Sequence, residues 1–344
     1  MGNARIFRKL ALLLLAASAL AAAAAYRVIK RIPIPGDYGW DYVTADSEAR
    51  RLYVPHGIEV VVLDLDSGAI AGKIAVGKGV HGVAIARELG RGFISATDPG
   101  SVTIFDRKTL AIIDKIRVGD DPNGIIYDPS TKRVFSADRG SQRLTAIDAA
   151  TGKIAGAATN LGGRTEHLAA DQAGHVYLNM QDRNTLLKID AQTLKVMETW
   201  STAPCEQPSS MDMDRRHQRI FIGCRGAGMM AVVDAITGKV VATHPIGTGV
   251  DAAEFDPRND LIFFSTGGGD GALSIFHEDA PDKYSLVQNV KTLPGARTMA
   301  LDRKTGNVYL SVADLGPTPA PTADNPRPRP PAIPGTFSVL VVGR

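Results

Sequence analysis

Residues 220–249 read IFIGCRGAGMMAVVDAITGKVVATHPIGTG. Runs rich in Val, Ile, Met and Phe are separated by CRGAG and DAITG, which have the composition of turns. Each run is too short for a stable helix and the right length for a strand. In DAITG the Asp side chain suits the start of a tight hairpin and the Gly supplies a positive φ. Such a unit is a piece of sheet that cannot bury a core alone, so its meaning depends on whether it recurs.

It recurs along the chain. The segments ARRLYVP, GRGFISA, TKRVFSA, AGHVYLN, HQRIFIG, NDLIFFS and TGNVYLS align through Tyr53, Phe93, Phe135, Tyr177, Phe221, Phe263 and Tyr309, spaced by 40, 42, 42, 44, 42 and 46 residues. An acid stands seven residues before five of them: Asp46, Asp128, Asp214, Asp256 and Asp302. Ala86 holds that place in the second unit, and Asp171 stands six ahead in the fourth. A later series, including VVVLDLDSG, VTIFDRKT and LTAIDAATG, is anchored by Asp64, Asp106, Asp148, Asp190, Asp234 and His277. A last series, GKIAVG, DKIRVG and ATHPIG, ends most units. Four short strands in a period near 42 predict an all-β, seven-bladed β-propeller with one four-stranded sheet per blade. A β-solenoid is the alternative, with a repeat that is usually shorter.

The seventh unit stops at its third strand, FSVLVVGR. The segment YRVIKRIPIPG, starting at Tyr26, matches the missing fourth strand, so the ends of the chain are expected to share the last blade and close the ring. Residues 26–344 then form one domain. Within the seventh unit, residues 315–335 (LGPTPAPTADNPRPRPPAIPG) separate the second and third strands. Their proline density predicts extended polyproline segments without regular pairing. This insertion reads either as a solvated loop or as a lid or docking arm.

The stretches LYV…VVVLDLDSGAIAGKIAVG and IFIGCRGAGMMAVVDAITGKVVATHPIGTG resemble the YVTN-type β-propeller repeat of YncE-like exported bacterial proteins. The resemblance covers nearly all of the chain after residue 25, and it implies architecture more than activity. The tetrapeptide YVTN itself is absent, with LYVP and FISA in its place. The Trp-Asp pair Trp40–Asp41 occurs once and in the wrong strand for a WD40 repeat.

Residues 1–25 read as a secretory signal peptide: Arg5, Arg8 and Lys9 precede an apolar run that ends in alanines. An uncleaved anchor is the alternative. Removing three of the 39 basic residues leaves 36 against 36 acids, so the body is neutral and nucleic-acid binding is not expected. No later segment has the length and apolarity of a membrane span. A periplasmic or secreted monomer is expected. In such a compartment Cys205 and Cys224 are expected to pair, the alternative being two free buried thiols.

The residue five before each repeat-acid position is polar in every unit: Asp41, His81, Asn123, Glu166, Ser209, Asp251 and Arg297, with His167 an alternative to Glu166. These are expected to form a ring at one rim of the central channel. Three readings stand for it. Polar residues solvate strand ends at a wet channel. They bind a ligand, with His81, Glu166, Asp41 and Asp251 suited to a divalent cation such as Ca, Mg or Zn. Or they serve as general acid and base. His175, His217 and His244 fall in turns or outer strands and read as solvated. The reading chosen is a binding or scaffold protein that presents its polar rim to a protein or small-molecule ligand. The alternative is a divalent-metal-dependent channel enzyme, lactonase-like or lyase-like. No nucleophile elbow and no haem-attachment motif is present.

Overall fold

The computed structural model describes residues 25–36, 39–322, 325 and 328–344. The predicted signal peptide lies outside these residues, apart from Ala25. The chain is a seven-bladed β-propeller: seven four-stranded antiparallel sheets, each an up-and-down meander. The first blade runs through Thr44–Asp46, Arg51–His56, Glu59–Asp64 and Ile70–Ala75, and the next five repeat this order. The seventh blade takes Thr298–Asp302, Asn307–Val312 and Ser338–Gly343, and then Arg27–Pro33 from the other end of the chain. Arg27 pairs with Gly343 and Pro33 with Ser338, so the predicted ring closure is present. No helix among the described residues is long and apolar enough to cross a membrane.

The repeat residues divide into two structural roles. Six of the aligned aromatics are at most 1 % exposed and Tyr309 is 3 % exposed. They pack between neighbouring blades, as Tyr53 does against Phe105, Val80 and Val83 of the second blade. The core is therefore the set of interfaces between sheets, and each aromatic contributes roughly 2–3 kcal/mol of apolar burial. The Asp series closes hairpins. Asp148 Oδ1 accepts from the Thr151 amide at 2.7 Å and its hydroxyl at 2.8 Å, and Asp106, Asp190 and Asp234 repeat the contact. The next position has φ near +70° and is held by Gly68, Gly152 and Gly238, while Leu110 and Leu194 tolerate it in the other two blades. Cys205 and Cys224 form the expected disulfide.

The two ends of the proline-rich segment are tied to each other. Leu315 bridges Ala332, Gly316 N donates to Pro331 O at 2.8 Å, and Ile333 N donates to Asp314 O at 2.8 Å. Arg31 of the closing strand pairs with Asp314 at 2.8 Å. Phe337, at the base, is sandwiched between His56 and Trp40. The two ends of the arm, at residues 315–316 and 329–333, are thus pinned together beside the rim of the ring.

Candidate functional site

The polar residues near the start of each inner strand form separate contacts, and Asn123 and Ser209 among them are buried. His81 Nδ1 is 2.6 Å from Asp41 Oδ2, and Nε2 is 2.7 Å from Thr97 Oγ1. Thr97 donates to Asp121 Oδ1 at 2.9 Å, and Arg139 clamps Asp121 through Nε at 2.6 Å. Because the one hydroxyl proton of Thr97 goes to Asp121, Thr97 Oγ1 accepts from His81 Nε2. The result is a hydrogen-bonded chain, Asp41–His81–Thr97–Asp121–Arg139, across three blades.

Across the rim, Asp251 is held between Arg225 and Arg297, with Arg297 Nε at 2.9 Å. Ser209 is structural: its hydroxyl contacts Gly223 O at 3.2 Å and Val250 O at 2.9 Å. Asn123 is buried, and its backbone carbonyl accepts from Ser95. Glu166 is 4 % exposed and accepts from the Tyr42 hydroxyl at 3.1 Å. Burial, with Asp251 adding repulsion, pushes the Glu166 carboxyl up to about 7. His167 faces the channel, edge-on to the Tyr42 ring at 5.2 Å. Burial pushes its imidazole down to about 4, so it is neutral at pH 7.

The four residues read as metal ligands are brought to one rim but not to one point. Asp41 and His81 meet, while Asp251 is committed to two guanidiniums and Glu166 to Tyr42. The group of three carboxylate and imidazole ligands that does converge among the described residues is Asp214, His217 and Glu278, away from the rim. His217 is therefore not the plainly solvated turn residue that the sequence suggested.

Residues absent from the predicted ring also shape this face. Asp121 and Arg164 stand two places before Asn123 and Glu166, in a register otherwise held by Gly39, Gly79, Gln207, Gly249 and Gly295. Two charged residues in a column otherwise of glycine and glutamine were the available signal. Between the arm and blades six and seven lies a cleft of about 430 Å³, lined by Trp40, Leu315, Pro330 and Ala332 on its apolar side and by Arg225, Arg297 and Arg329. Its floor is bare backbone: a Cβ on Gly268 would lie 2.3 Å from Thr248 Oγ1.

A carboxyl held up near 7 has a definite pH signature. The folded state binds the Glu166 proton more tightly than the unfolded chain, so its contribution to stability is full at low pH. It is lost as pH rises from about 4.5 through about 7. Glu166→Gln is expected to be more stable relative to wild type at pH 7.5 than at pH 5. His167 acts in the opposite sense between about 6.5 and 4 and is common to both proteins. Urea melts at the two pH values check this; an equal difference at both sinks it.

No family model matches the chain, and no curated protein matches it. Solved structures match in fold. A chain of the mitotic checkpoint complex superposes with TM-score 0.75 over 92 % of both chains at 13 % identity. The RRP9 WD40 repeats give 0.76 over 93 % of this chain and 97 % of that one at 9 % identity. Hydrazine synthase of Kuenenia stuttgartiensis gives 0.68 over 80 % of this chain and 94 % of that one at 16 % identity. At these identities the likeness shows the propeller fold alone.

Proposed function

We propose that this is an exported binding protein of the YVTN-repeat type, and that its ligand site is the cleft beside the proline-rich arm. The ligand is a small molecule with an apolar body and an anionic group of the carboxylate or sulfonate class. One observation carries the reading: apolar side chains and three arginines line one cleft of about 430 Å³ between the ends of the arm and the rim. That volume lies in the range of small-molecule sites, which pair apolar walls with a few placed polar groups. Asp251 neutralises one of the three arginines, leaving a surplus of about two positive charges by formal counting. Arg329 is exposed and has no acidic partner among the described residues. The disulfide supports export, since such bonds persist in oxidising compartments.

The probe for a test is 8-anilinonaphthalene-1-sulfonate, an apolar fluorophore with one fixed anion. Wild type is expected to give one saturable site, weakened about tenfold by Arg329→Ala, as for loss of one charge-assisted contact of ~1.4 kcal/mol. The uncharged analogue N-phenyl-1-naphthylamine is expected to be indifferent to that substitution. Equal dye affinity in wild type and Arg329→Ala removes the cleft from consideration.

A further inference from the structure

The repeats make it possible to ask what each blade places at the same point, and one blade interface breaks the pattern. The residue after each third-strand anchor donates its amide to the preceding turn of its own blade: Leu65 to Arg50, Arg107 to Gly90, Ala149 to Lys132, Ala191 to Gly174, Ala235 to Gln218 and Glu278 to Asp260. In the second and sixth blades the side chain at this position meets the repeat acid of the preceding blade. Four of the six are apolar. In the second blade it is Arg107, whose Nη2 binds Asp46 of the first blade at 2.9 Å. In the sixth blade it is Glu278, an acid, and it faces another acid, Asp214 of the fifth blade.

The residue three after the repeat acid also faces it. Thr131 and Thr305 donate their hydroxyls, and Asn259 its amide, to Asp128, Asp302 and Asp256, each at 2.7 Å. In the fifth blade this place is His217. Its Nδ1 lies 2.7 Å from Asp214 Oδ2 and 3.5 Å from Glu278 Oε1, yet neither approach has hydrogen-bond geometry. The Glu278 side chain is 1 % exposed; neither of its oxygens meets a donor in good hydrogen-bond geometry, and its carboxyl lies against that of Asp214. The neighbouring Arg216 is 3.7 Å from Asp214 but makes its close pair with Asp260 at 2.7 Å. Two buried carboxylates thus face each other where a related interface supplies a guanidinium.

We infer that a divalent cation of the zinc class occupies this point, bound by Asp214, His217 and Glu278. The three donor atoms lie within 4.8 Å of one another. Four-coordinate zinc, with bonds of about 2.0–2.2 Å, places its ligands roughly 3.4 Å apart, so small side-chain shifts complete the site. One imidazole nitrogen beside two carboxylates favours zinc over calcium or magnesium, which take oxygen-only sets. His217 is 33 % exposed, which gives the ion a route in and a water as fourth ligand. The ion does the work that Arg107 does at the first interface: it pins the inner strand of one blade to the third strand of the next.

The test uses the untagged full-length protein, stripped with a chelator and titrated with zinc chloride by calorimetry. Wild type is expected to bind one equivalent, unaffected by millimolar calcium, and to melt at higher temperature with it. His217→Ala is expected to weaken binding at least about tenfold. Glu278→Arg, which copies the Arg107 arrangement, is expected to fold, lose zinc binding and melt above metal-free wild type. His81→Ala is expected to bind zinc as wild type does. Absence of a stoichiometric site, unchanged binding in His217→Ala, or loss in His81→Ala instead would each overturn the assignment.

Discussion

A chain lacking residues 26–34 is expected to show no cooperative unfolding transition by circular dichroism or urea melts. Those residues supply the fourth strand of the last blade. Tyr26, Ile32 and Ile34 are buried, at 4, 8 and 1 % exposure. At roughly 1.5–3 kcal/mol each, their burial is worth about 5–9 kcal/mol, comparable with the whole stability of a typical domain. Tyr26 also packs edge-on to Phe263 of the sixth blade, at 5.6 Å between ring centroids, so its loss is felt in the neighbouring sheet. Deletion further bares the edge of Ser338–Gly343, a run of Val and Leu that is a template for pairing with another chain. The expected product is an aggregation-prone ring that loses structure gradually. A truncated chain melting sharply within a few degrees of the intact one would show that closure by this strand is dispensable.

The second large effect lies in the second blade. Gly92 pairs across the ladder with Phe105, at a place where the other blades pair Leu52 with Leu63, Val134 with Ile147 or Ile220 with Val233. The pair is complementary in size: a glycine leaves room for an aromatic ring. Phe105 is fully buried, and a Cβ built on Gly92 would lie 2.0 Å from its Cζ. Gly92→Val therefore displaces the ring from the Tyr53 interface. It is expected to cost more than about 3 kcal/mol, read as a fall in the urea midpoint. The double change Gly92→Val with Phe105→Val restores the pairing of the other blades and is expected to return to within about 1.5 kcal/mol of wild type. If Gly92→Val alone matches wild type, the two residues are not packed as a pair.

The fold was legible because repetition multiplies a weak signal. One run such as IFIG is ambiguous, but seven aromatics at nearly constant spacing, five of them followed by a hairpin Asp, admit few architectures. The rim was legible in the same way: alignment puts Asp41, His81, Glu166 and Asp251 at one level. Alignment does not say which neighbours they hold. Arg225 comes from a loop between strands, Arg329 from the proline-rich insertion, and Asp121 from a register two residues away, and none of these is in phase with the ring. Glu278 shows the converse. It sits in phase with Leu65 and Ala149, and an acid in an apolar column was visible in the sequence once that column was drawn.

Residue order alone determined the blade count, the strand order and the circular closure. These follow from backbone pairing and period-two burial, which depend on local pattern. Tertiary structure decided which charges meet. Whether Asp251 faces a cation or an ion site, and whether the ends of the arm are pinned beside the rim, depends on distances between loops of different blades. Coulomb and desolvation energies change steeply over the few ångströms that no repeat alignment resolves.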